Sequence, residues 1–185
     1  MASKIKVDQI QTADGTGTIA LQNQLSGMTT ASLPALGSAQ MPTGSVVQVV
    51  HASTNSSVVM SSGTHVDTGL TATITPTSSS NKILVSVHQN GLRKHSNHAN
   101  NDITAYILRG STNIAHIAKY LGFTQTSLNL YIGNVSGEML DSPATTSATT
   151  YKTTFANPDG GGSGGTITAQ EGSARSTITL TEIVG

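Results

Sequence analysis

MPTGSVVQVVH, residues 41–51, decides how the chain is organised. Pro42 fixes its own φ and has no backbone donor, and Gly44 frees φ, so a regular element arriving from the N-terminal side stops here. Four β-branched residues follow, Val46, Val47, Val49 and Val50. Such a run favours extended backbone and has the pattern of a strand buried on both faces. The stretch therefore reads as the first strand of a domain entered from an arm. Residues 1–40 form the arm, and residues 41–185 form the head.

The arm has few large apolar residues. Ile5, Val7, Ile10, Ile19, Leu21 and Leu25 are its candidate partner-docking residues. Ile5 and Val7 alternate with Lys4, Lys6 and Asp8, and Ile19 and Leu21 alternate again after the turn-rich ADGTG. A segment this short cannot bury enough apolar area within itself to offset roughly 1–2 kcal/mol of backbone entropy per residue. It is either disordered or ordered by a partner, and the periodic apolar pairs favour the partner.

Period-two alternation recurs through the head, and no long stretch shows a helical period. The pattern predicts strands at 45–51, 58–60, 70–76, 82–88, 103–109, 113–119, 127–132, 138–140, 150–155, 166–169 and 176–183. Turn-rich residues punctuate them at 76–81, 90–101, 109–113, 141–143 and 157–165. The expected fold is all-β: an extended N-terminal arm, then an antiparallel, jelly-roll-like β-sandwich. With only 3% aromatic residues the core is modest, and self-association, with a homotrimer favoured, would bury more area.

Only 10% of residues are charged, against roughly 25% in an average soluble domain. Nine basic and nine acidic side chains leave no basic field for nucleic acid. Cysteine is absent, which removes disulfides and thiolate metal sites. The start, MASKIKVDQIQTADG, has no apolar core of signal-peptide length, and no segment approaches the roughly 20 apolar residues of a membrane span. The expectation is a protein made in a cytosol and carried out by lysis or within a particle.

Several patterns bear on chemistry. GGSGG, residues 161–165, matches the G-x-S-x-G elbow, but a strand rather than a helix is expected to follow. Gly160, Gly162 and Gly165 fit G-x-G-x-x-G with the same objection, so a flexible loop is expected. His88, His95 and His98 cluster with Asp102 in HQNGLRKHSNHANND. Imidazoles at that spacing suit a divalent metal, yet Arg93 and Lys94 within the cluster oppose a cation. The stretch reads as a solvated surface loop, with His95, Asn97, His98 and Asn100 as the candidate ligand-contact set. Tyr106, Tyr120, Tyr131 and Tyr151 suit either core-edge packing or a sugar-stacking surface. No carboxylate pair has a spacing that supports a glycosidase. No cofactor and no enzymatic activity are expected.

The wording of the chain carries a resemblance. SKIKVDQIQTADGTGTIAL resembles the N-terminal arm of tail-fibre and related virion proteins of tailed bacteriophages. MPTGSVVQVV, ITPTSSSNKILVSV, LDSPATTSATTYK and STITLTEI, in that order, resemble virion proteins of marine and cyanobacterial phages. The resemblance implies a homotrimeric tail or capsid appendage of tail-fibre, head-fibre or decoration type, with other virion proteins as partners. In some such proteins host-surface glycan is a further partner. It brings no catalytic motif, and this chain lacks a long repeated shaft.

Overall fold

The computed structural model describes Gly37 and residues 40–185. Ten strands fall within them: β1 (Val46–Thr54), β2 (Val58–Met60), β3 (Val66–Ile74), β4 (Lys82–Lys94), β5 (Ile103–Arg109), β6 (Thr112–Leu121), β7 (Leu130–Asp141), β8 (Thr149–Ala156), β9 (Ile167–Ala169) and β10 (Ser176–Ile183). The alternation in the sequence becomes the alternation of burial. In β3, Thr68, Leu70, Ala72 and Ile74 point inward, and in β10 Ser176, Ile178, Leu180 and Glu182 do so.

One sheet has six strands in the order β1-β10-β4-β9-β2, with β7 also paired to β4, and the other has four in the order β3-β8-β5-β6. Every ladder is antiparallel. Along one side of β4, residues 82–88 pair with β10 and residues 93–94 with β9. β10 and β9 are thus one interrupted strand, and β1 and β2, which pair with them, are another. Counted so, the fold is two four-strand sheets, and the strand order is that of a jelly roll.

Two apolar clusters fill the space between the sheets. Leu70, Ile74, Ile83, Val85, Ile107, Tyr151, Ile178 and Leu180 make the first. Leu92, Ile103, Phe155 and Ile167 are the largest members of the second. Each such aliphatic side chain contributes about 1.5–3 kcal/mol by leaving water. A polar layer lies at the level where the strands break. Gln89 Nε2 donates to Ser176 Oγ at 3.0 Å, Thr153 Oγ1 donates to Gln89 Oε1 at 2.8 Å, and Thr153 Oγ1 also bonds Thr68 Oγ1. The Ser176 hydroxyl also accepts from Asn90 N, and Gln170 N donates to Asn90 O. Interrupted ladders leave buried peptide groups without a strand partner, and these side chains supply the bonds. Gly91, with φ +63, makes the matching kink in β4, where a Cβ would collide with the backbone of Gln170 and Glu171.

Three expectations need correction. The valines of 46–50 are not buried on both faces: Val46 and Val49 are 51% and 58% exposed, because β1 is an edge strand with an open outer face. Segments 127–132 and 138–140 are not separate strands. β7 runs unbroken along β4, with residues 133–137 paired to it and Ile132 bulged out of the ladder beside Gly133. Residues 90–94 are not loop, since the Gly91 kink lets β4 continue to Lys94. The arm residues Ile5, Val7, Ile10, Ile19, Leu21 and Leu25 lie outside the described residues.

Candidate functional site

The jelly roll has two unlike ends. At one, the chain enters and leaves together: Gly44 N donates to Val184 O and Val184 N donates to Ser45 O. Glu182 anchors this end. Its buried carboxylate accepts from Asn81 Nδ2 at 2.7 Å, from Thr77 N at 2.7 Å and Thr77 Oγ1 at 2.8 Å, and from Gln48. Burial by itself would raise the Glu182 carboxyl; those hydrogen bonds outweigh it and hold its pKa below the usual value. Asp141 lies buried nearer the loops of this end. It takes both Arg109 Nη1 contacts and the Tyr151 hydroxyl at 2.7 Å, and burial followed by that hydrogen bond pushes the phenol up.

Four connections close the opposite end, residues 61–65, 95–102, 122–129 and 157–166. Asparagines bind them to one another. Asn97 Nδ2 donates to Gly164 O at 2.8 Å, and its Oδ1 accepts from Thr166 N and from Asn101 Nδ2. Asn157 Nδ2 donates to Asn101 Oδ1 and Gly165 O, and its Oδ1 accepts from Asp102 N and Gly160 N. Asn157 N donates to Ser62 O, which brings in the first connection. Lys94 brings in the third: its Nζ donates to Ala99 O and Thr124 Oγ1. Asn129 Oδ1 accepts from Ser96 N and from Arg93 Nη2.

The glycine-rich segment 157–165 is part of this closure rather than a flexible loop. Gly160, Gly161 and Gly165 are buried. A Cβ on Gly165 would overlap the Asn101 side-chain oxygen, and one on Gly161 would overlap the backbone of Ser62. The glycines are needed because two backbones approach within the space of a methyl group. Gly161–Ser163 is a single 3-10 turn followed by β9, so the Ser163 hydroxyl does not sit on a strand-to-helix elbow.

The histidines of the predicted cluster part company. His88 lies on the outer face of β4 and bonds Ser136 Oγ at 2.8 Å. His95 Nε2 bonds Thr168 Oγ1 at 2.6 Å, and His98 Nδ1 accepts from Asn100 N. Burial, then the Arg93 charge, lowers the His95 pKa against the opposing pull of Glu171. Asp102 faces inward, wholly buried, and accepts from Asp159 N; burial raises its pKa. Among the described residues no three His, Cys, Asp or Glu side chains come together as metal ligands. Asn97 and Asn100 stay exposed on the closed end. Lys94, wholly buried with its pKa lowered by burial, is the residue that sequence reasoning placed on the surface. Its inward register after the bulge has no signature in the local pattern.

The arrangement can present a rigid polar surface, built from backbone and amide groups, to a partner. No helix of the described residues is long and apolar enough to cross a membrane. Comparison of the chain with protein-family models and with curated proteins gives no match.

Proposed function

We propose that the chain is a non-enzymatic structural subunit of a tailed-bacteriophage particle, a short homotrimeric fibre or appendage. Residues 1–40 attach it to tail or capsid, and residues 41–185 are the displayed head. One observation carries this reading. Residues 40–45 enter beside the chain's own C-terminus, at Val184, while the four cross-bonded connections close the other end. A head attached through the first end presents the second outward. The polar, uncharged composition suits a particle surface, and the resemblance of SKIKVDQIQTADGTGTIAL to phage arms points the same way.

The experiment is incorporation into particles. Full-length chain and a chain lacking residues 1–30 are each supplied during assembly, and purified particles are assayed for them. The full chain is retained and the truncated chain, folded by circular dichroism, is lost. Equal retention would refute attachment through the arm.

A second reading is attachment to host-surface glycan by the closed end. It is favoured by the meeting of connections 95–102 and 157–166, with Asn97 bonded to Gly164 and Asn100 exposed beside them. A glycan array probed with the full chain and with Asn100→Ala tests it. A hit that Asn100→Ala weakens supports the reading, and an array without hits removes it.

A further inference from the structure

Large apolar side chains are left exposed very unequally on the two sheets. Among the described residues, seven are exposed: Val46, Val49, Val59, Tyr120, Phe123, Tyr131 and Leu140. Tyr120 and Phe123 belong to the end of β6 and the turn after it. The other five all lie on the outer face of the six-strand sheet. The register shows it: Val49 pairs with Thr181, Thr181 with Leu84, and Leu84 with Leu140, in one row across four strands. A second row runs Val59, Thr168, Arg93, Tyr131. The outer face of the four-strand sheet carries Thr71, Thr73, Thr150 and Thr154, the Lys152–Asp67 ion pair and the stacked rings of Tyr106 and His116; its one exposed large apolar residue among those described is Tyr120, at the end of β6.

We infer that the outer face of the six-strand sheet is the self-association surface of this protein, covered by other copies of the same chain. The inference rests on the trimer reading above and gives it a location. Three features single out a second copy as the occupant. The first is size. β4 and β7 have 13 and 12 residues. At roughly 3.3 Å per residue and about 4.8 Å per strand, the face is about 40 Å long and about 19 Å wide. That is about 750 Å² per copy, which in a trimer is shared between two neighbours and is of the order of the roughly 800 Å² a protein gives to a specific interface.

The second is charge. Between the apolar rows lie mostly short uncharged side chains, Ser53, Thr177, Thr179, Ser86 and Ser136, with His51, His88 and Glu138 among them, so few charges would be stranded by another surface. Arg93 is already paired with Glu171. That leaves Lys82 and Glu138 on the face and Arg175 at its edge, bonded to Ser53, so a rotated copy can set Glu138 against a cation. With zero net charge the copies also carry no long-range repulsion. The third is continuity with the chain entry. Residues 40–45 lead straight into β1, the edge strand of this face, so packing through it gathers the entry points of neighbouring copies.

The test measures the mass of the full-length chain in solution by light scattering at tens of micromolar. The wild-type chain and Thr73→Lys, on the outer face of the other sheet, give the same multiple of the single-chain mass. Val49→Lys combined with Leu140→Lys gives the mass of one chain, with unchanged far-ultraviolet dichroism. If the double variant keeps the wild-type mass, the face assignment is overturned while the oligomer itself stands. If the wild-type chain has the mass of one chain, the trimer reading and this inference fall together. A readout independent of folding of the charged variant uses the cysteine-free background. Alkylation of Ser136→Cys is at least tenfold slower than that of Thr73→Cys, and equal rates overturn the assignment.

Discussion

Asn157 Nδ2 donates to Asn101 Oδ1 at 2.8 Å, joining connections that lie 56 residues apart in the chain. Both side chains are wholly buried, so the bond is made without competition from water. It is the centre of the closed end, because each amide also ties down the far end of its own connection: Asn157 reaches Gly165 O, and Asn101 reaches His95 O.

Asn157→Ala therefore leaves buried donors and acceptors in several segments without partners. The expected loss is about 3 kcal/mol of unfolding free energy, read from urea denaturation. Amide exchange should quicken in residues 95–102 and 157–166 before it does in β10. A loss below about 0.5 kcal/mol would show that the network is not what holds these connections.

Neighbouring glycines in the same segment should respond very differently. Gly165→Ala drives a methyl group into Asn101 and into Gly160 O, so it should destabilise by about 2 kcal/mol or more. Gly162 has open space where its Cβ would lie, so Gly162→Ala should change stability by less than about 0.5 kcal/mol. Thermal melts of the two variants side by side decide the matter. Similar melting temperatures would contradict the close packing of Gly165.

The acid limb of stability follows from Glu182 and Asp102, with opposite signs. The folded Glu182 pKa lies below its unfolded value of about 4.3. Its contribution is therefore complete above that value and is lost as pH falls through the lower, folded pKa. Glu182→Gln should lower stability at pH 7 and flatten the decline below pH 4.3. The folded Asp102 pKa is raised, chiefly by burial, so its protonation on acidification adds stability. Asp102→Asn removes that gain and should steepen the acid decline. Urea midpoints measured from pH 7 to pH 2.5 for the three chains give the answer, and parallel curves would contradict both assignments.

Tyr151 is fully buried and its hydroxyl donates to Asp141 Oδ2. Tyr151→Phe keeps the ring in the first apolar cluster and removes one hydrogen bond to a charged acceptor that Arg109 still holds. The expected cost is about 1.5–3 kcal/mol in denaturant unfolding. A neutral substitution would mean that Arg109 alone satisfies the carboxylate.

Local pattern reached as far as strand identity. Ile83, Val85 and Val87 alternate with Leu84, Ser86 and His88, and every inward member is buried as the period requires. The pattern failed where a kink changes register. Gly91 shifts β4 so that Leu92 and Lys94 turn inward, and a lysine in an asparagine-rich stretch looks solvated from the sequence alone. At the candidate site, the two polar stretches were legible as connections. Their mutual bonding was not, since Asn97 meets Gly164 only after β4, β5, β8 and β9 have been paired.

What the sequence determined by itself is the class of structure, through period-two apolar spacing and turn residues at short intervals. Those are local properties, set by backbone sterics and by which face of a strand each residue occupies. The tertiary structure alone decided which edges lie open, which glycines must stay glycine, and that five exposed apolar side chains share one sheet face. These depend on contacts between residues far apart in the chain, where the free energy lies in the pairing of surfaces and is absent from any single segment.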